Sequence, residues 1–149
     1  MKITSTAMDG DCNIDSKYTC EGDNVSPPLT FSDVPPETKS LALIMDDPDA
    51  PNGTFTHWVL YDMDPNTAEL AENTPPASGK SGLSGYGKTG YGGPCPPSGT
   101  HHYHFKLYAL DAETGLAEGA SKSEVESAME GHVISGVETV GLYAKKNAA

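Results

Sequence analysis

Gly92-Gly93-Pro94-Cys95-Pro96-Pro97-Ser98-Gly99-Thr100-His101-His102-Tyr103-His104-Phe105 joins two kinds of chain. Up to Gly99 it is too rich in Gly and Pro to be helix, and its prolines stiffen it as a loop. From His101 to Leu110 apolar and polar residues alternate, the period-two pattern of a strand. On that strand His101, Tyr103, Phe105, Leu107 and Ala109 share one face, and His102, His104, Lys106 and Tyr108 the other. A stiff loop that delivers histidines to the start of a strand is a way to build a small polar site.

Two further strands lie upstream. Leu41-Ala42-Leu43-Ile44-Met45 is a continuous apolar run, short for a helix and suited to a strand buried on both faces. It runs into Asp46-Asp47-Pro48-Asp49-Ala50-Pro51, where Pro48 holds Asp47 extended at the strand end. Asn52-Gly53 then turns the chain, and Thr56–Met63 reads as the next strand, with His57, Val59 and Tyr61 on one face and Trp58, Leu60 and Asp62 on the other. A hairpin-like arrangement would bring Asp47 and His57 within hydrogen-bond range.

The rest is read more simply. Residues 1–40 are loop-rich, and Thr67–Glu72 suggests one helical turn. Residues 73–99 form a long Gly/Ser/Pro/Tyr loop containing Gly82-Leu83-Ser84-Gly85-Tyr86-Gly87-Lys88-Thr89, a literal match to the phosphate-binding P-loop pattern. That pattern works only between a strand and a helix; here Pro75-Pro76 precedes it and Gly92-Gly93-Pro94 follows, which disfavours nucleotide binding. Ser121-Lys122-Ser123-Glu124 is a capping box opening a helix toward His132, and Val133 to Tyr143 reads as a final strand. The tail from Lys145 to Ala149 reads as frayed. No repeat divides the chain, so residues 1–149 form one domain.

Composition excludes several classes. The net charge is −12 and all nine basic residues are lysines, so a nucleic-acid backbone is repelled and bidentate guanidinium contacts are unavailable. With 36% hydrophobic residues and no apolar run of membrane-spanning length, no stable membrane insertion is expected. The N-terminus lacks the apolar core of a signal peptide, so a cytoplasmic location is expected. Cys12, Cys20 and Cys95 contain no C-x-x-C pair; they read as buried free thiols, with Cys12 and Cys20 able to pair.

The residues that carry chemistry are Asp47, Asp49, His57, His101, Tyr103 and the loop around Pro97. A carboxylate beside an imidazole favours the charged ring, which makes an anion receptor without arginine. A tyrosine hydroxyl and Gly-rich backbone amides add donors, and together these parts suit a phosphate-like head group. The alternative is a metal-dependent enzyme using His101, His102 and His104 with His57 and Asp47, against which stands the alternation that turns His102 and His104 away from His101. A serine hydrolase is disfavoured because Gly82-Leu83-Ser84-Gly85-Tyr86 fails the G-x-S-x-G pattern at its last position.

At these positions the chain resembles the phosphatidylethanolamine-binding protein family, in its bacterial and archaeal branch. The signature D-P-D-x-P stands as Asp47-Pro48-Asp49-Ala50-Pro51, followed by His57; G-x-H-R-Y stands as Gly99-Thr100-His101-His102-Tyr103, preceded by Gly93-Pro94-Cys95-Pro96-Pro97. Tyr18-Thr19-Cys20-Glu21-Gly22 and Asn24-Val25-Ser26-Pro27-Pro28-Leu29 also resemble this branch. The resemblance implies a mostly β fold: a β-sandwich with a large antiparallel sheet, a smaller sheet and one or two short helices. It implies a small surface pocket for phosphate-like anions or phosphorylated head groups, lined by Asp47, His57, His101 and Tyr103, with Cys95 and Pro97 on the loop. It further implies a non-enzymatic binding protein without a cofactor, with regulation or inhibition of a partner kinase or protease among the family's roles. His102 stands where the signature has arginine, which implies a lost structural ion pair. The chain ends soon after Tyr143, without the C-terminal helix of the eukaryotic members, which implies a less covered pocket.

Overall fold

The computed structural model describes residues 1–145; the reading of the last four residues lies outside them. Its centre is the apolar run singled out above. β3 (Ser40–Asp47) is buried along its whole length and pairs antiparallel with β4 (Phe55–Met63) on one side and β7 (Thr100–Leu110) on the other. β6 (Lys80–Ser81) adds to β4 and β8 (Val133–Ala144) to β7, giving a five-stranded sheet in the order β6-β4-β3-β7-β8. A smaller sheet, β1-β2-β5, is made of β1 (Lys2–Thr4), β2 (Leu29–Ser32) and β5 (Glu69–Leu70).

A strand buried on both faces needs cover on both, and its residues sort accordingly. Leu41, Leu43 and Met45 join Leu60, Phe105 and Leu107 in packing against Ile3, Leu29, Phe31 and Leu70 of the small sheet. Ala42 and Ile44 point the other way, with Val59 and Tyr61, onto Val125 and Met129 of α1 (Lys122–Met129). The capping box is formed: Ser121 Oγ accepts from the Glu124 amide and Glu124 Oε1 accepts from the Ser121 amide, each at 3.1 Å. Asp46 lies under this helix, 2% exposed, and accepts from Lys122 at 2.9 Å and Lys106 at 3.2 Å. Among the described residues no helix is long and apolar enough to cross a membrane.

Three sequence expectations are corrected here. The residues read as a helical turn instead contain β5, where Leu70 pairs with Leu29 and is buried; a partner strand outweighs local propensity over so short a stretch. The three cysteines are not all free thiols, and Cys12 does not bridge to Cys20: Cys20 is bonded to Cys95, and Cys12 is exposed. The third concerns the faces of β4. Met45 pairs with Trp58 but Asp46 pairs with Thr56, so His57 is an extra residue in its strand, a β-bulge. Strict alternation fails there, and His57 turns to the side of Trp58 and Tyr103 rather than that of Val59. A second slip between Leu41 and Leu43 coincides with Asp62 at φ 55°, whose carboxylate holds Thr114.

The P-loop-like segment lies in an irregular connection with no helix after it. Several of its amides are spent within the chain: Ser84 N donates to Lys88 O, Gly87 N to Ser84 O, Gly85 N to Thr56 O and Leu83 N to Ala120 O.

Candidate functional site

The antiparallel register places the end of β3 and the starts of β4 and β7 together, at one end of the large sheet. Asp47, His57, His101 and Tyr103 therefore converge from three strands on a cavity of about 320 Å³. Cys95 and Pro97 line it from the loop, and Tyr86, Phe55 and Pro51 add apolar lining.

The loop is fixed from several directions. Cys95 is tied to Cys20, the Cys20 amide donates to Pro94 O at 3.1 Å, and the Gly93 amide donates to Asn24 Oδ1 at 2.9 Å. Tyr86 Oη donates to Gly93 O at 2.8 Å, and Tyr91 Oη to Tyr18 O at 2.6 Å. The wall is thus bound to the segment around residues 18–24 that precedes β2.

Each polar group has a defined backing. Asp47 Oδ2 lies 2.6 Å from His101 Nδ1, with both side chains under a tenth exposed, while Asp47 Oδ1 accepts from the Asp49 amide at 2.8 Å. The carboxylate is thereby used on both oxygens, and His101 presents its other nitrogen. The expected Asp47–His57 hydrogen bond is replaced by this one: His57 Nδ1 meets Gly92 O at 2.7 Å, and its ring packs edge-on to Tyr103 at 5.2 Å between centroids. Burial is the largest influence on His57 and holds its pKa below the usual histidine value, against the Gly92 carbonyl and Asp47, which pull it up. Burial, then Asp47, pushes the Tyr103 phenol far up, so it stays a hydroxyl.

Asp49 does not line the cavity. Its Oδ2 accepts from the His102 amide at 2.8 Å and faces His102 Nδ1 at 2.7 Å, a hydrogen bond that lowers the carboxylate's pKa. His102, which stands where the signature has arginine, thus has Asp49 as its partner. His104 lies on the far side of β7, 3.2 Å from Glu138. Among the described residues no three His, Cys, Asp or Glu side chains are arranged to hold a metal ion. Tyr86 and the Gly92 carbonyl were not among the expected site residues; an aromatic in a Gly-rich loop was the available signal for the first, and none existed for the second.

Because the fold prefers neutral His57, its stabilising effect is complete above about pH 6.5 and is lost as pH falls through that value toward the lower folded pKa. In urea unfolding at stepped pH, the wild type is expected to lose stability below pH 6.5 more steeply than His57→Gln, by up to about 1.4 kcal/mol per pH unit. Parallel curves for the two proteins would refute the assignment.

An antiparallel two-layer β protein with a histidine-lined cavity at one end of its sheet, walled by a disulfide-tied loop, is a ligand-cavity scaffold. Comparison with known proteins specifies it further. A family model described as phosphatidylethanolamine-binding protein matches residues 4–144, and the chain belongs to that family. It is 48% identical to a UPF0098 protein of Methanothermobacter thermautotrophicus, covering 97% of this chain and 99% of the relative, and 47% identical to one of Aquifex aeolicus, covering 97% and 89%. Among solved structures it is similar to a phosphatidylethanolamine-binding protein homolog of Chlamydia trachomatis, at a TM-score of 0.92 and 42% identity over 97% of each chain. It is also similar to YbcL of E. coli, described as a member of the mammalian family, at 0.89 and 30% over 97% of this chain and 98% of that one.

Proposed function

We propose that this protein is a non-enzymatic binding module whose cavity takes a small anionic or phosphorylated head group. One observation carries this reading. His57, His101 and Tyr103 are at most 6% exposed; both rings make their hydrogen bonds through Nδ1, leaving the two Nε2 atoms and Tyr103 Oη, and among the described residues only Thr38 Oγ1 is both unpartnered and sealed from solvent. All three residues line the cavity, so these atoms open into it. Buried polar groups are normally satisfied, and a bound anion would satisfy them here.

Binding without turnover fits the same groups. The Asp47–His101 pair has the form of a base and its orienting carboxylate, but the hydroxyl beside it is the Tyr103 phenol, held protonated by burial and therefore a donor rather than a nucleophile.

An NMR titration with phosphoethanolamine tests the reading. Shifts are expected at His57, His101 and Tyr103, with affinity weakened about tenfold or more by His101→Ala and unchanged by His104→Ala. A silent titration, or equal losses in the two variants, would overturn it.

A further inference from the structure

The backbone decides which proton state His57 presents to the cavity. The Gly92 carbonyl, 2.7 Å from Nδ1, can only accept, so the hydrogen sits on Nδ1. The neutral ring, which burial favours, then carries a lone pair on Nε2. His57 lines the cavity and makes its hydrogen bond to Gly92 through Nδ1, so Nε2 of the neutral ring can only accept. In the same cavity His101 Nδ1 donates to the Asp47 carboxylate, and Tyr103 carries a hydroxyl donor. The rings facing His57 are Phe55, Tyr86 and Tyr103, and the charged groups bearing on it are Asp47 and, more distantly, Asp46.

A fully ionised tetrahedral anion has only acceptor oxygens and would set one of them against the His57 lone pair. An anion that keeps a proton fits: its hydroxyl donates to His57 Nε2, and an ionised oxygen accepts from Tyr103 Oη. We propose that the cavity selects oxyanions that retain a proton, such as phosphate and phosphomonoester monoanions, over fully ionised ones of the same size, and that His57 is the selecting residue. This inference rests on the anion-site reading and adds the chemical form of the ligand.

The experiment is calorimetric titration of the full chain with inorganic phosphate and with sulfate at about pH 6.5, where His57, titrating below its ordinary value, is mostly neutral, phosphate is mainly the H2PO4− monoanion and sulfate carries no proton. Phosphate is expected to bind about tenfold or more tightly than sulfate, the value of one hydrogen bond replaced by opposed lone pairs. His57→Gln, whose amide offers either a donor or an acceptor, is expected to bring the two affinities within about threefold of each other. Long-range 15N–1H spectra of the wild type are expected to show the His57 hydrogen on Nδ1. Equal binding of both anions by the wild type, selectivity unchanged in His57→Gln, or a hydrogen on Nε2 would overturn the inference and leave the anion site standing. Binding of neither anion would overturn both.

Discussion

Cys95→Ser is expected to lower the unfolding free energy by about 4 kcal/mol, the chain-entropy value for a loop of this length. Cys20 and Cys95 are 75 residues apart in sequence, and their bond removes much of the freedom the unfolded chain would have between them. The cost falls on the site as well as the fold, because Cys95 is part of the cavity wall. Denaturant unfolding in oxidising buffer measures it: Cys95→Ser and Cys20→Ser should unfold at the same low denaturant concentration, and reductant should bring the wild type down to meet them. Cys12→Ser should match the wild type, since Cys12 is exposed and unbonded. An unchanged Cys95→Ser midpoint would show that the bond constrains nothing the rest of the loop does not already hold.

Gly93→Ala should cost about 3 kcal/mol, at the upper end for overpacking, and should weaken ligand binding together with stability. A Cβ at this position would sit 2.4 Å from Tyr18 O and 2.3 Å from Asn24 Oδ1. The side-chain amide can swing away, but the Tyr18 carbonyl belongs to the backbone and cannot. The loop must therefore lift from residues 18–24, giving up the Gly93–Asn24 hydrogen bond and shifting the Gly92 carbonyl that fixes His57. Gly99→Ala provides the comparison: its φ of 69° is strained for alanine, but nothing lies within 4 Å of the added carbon. It should cost about 1 kcal/mol and leave the His57 resonances in place. If Gly93→Ala bound phosphoethanolamine as the wild type does, the loop's attachment would be shown not to set the cavity.

The parts of this fold that were legible in the sequence are those fixed by local periodicity. The β7 alternation placed His101, Tyr103, Phe105, Leu107 and Ala109 on the buried face, and the structure has all five buried. The apolar run became β3, and the capping box begins α1. What was misread depends on contacts distant in sequence or on breaks in period. Nothing in the spacing of three cysteines selects Cys95 as the partner of Cys20. Glu69-Leu70 becomes a strand only because Leu29 is there to receive it. The face of His57 is set by a bulge that interrupts the strand period, so strict alternation points to Asp47 as its partner, whereas the actual partner is the Gly92 carbonyl, a backbone atom with no signature of its own.

The position of β3 also sets an order in time. Its pairing with β4 is a hairpin between neighbours, but its other edge waits for partners far along the chain: Leu110 for Ser40, and His104 for Asp46. During synthesis residues 1–99 emerge before β7 exists, and in that interval the strand that will be buried along its whole length has one side unpaired. Distant pairings of this kind slow folding toward milliseconds to seconds, because the intervening chain must be closed before the contact returns any stabilisation. The cavity draws residues from both sides of that pairing, so a nascent chain has no pocket until its central sheet is complete. Ligand binding can report only on finished molecules.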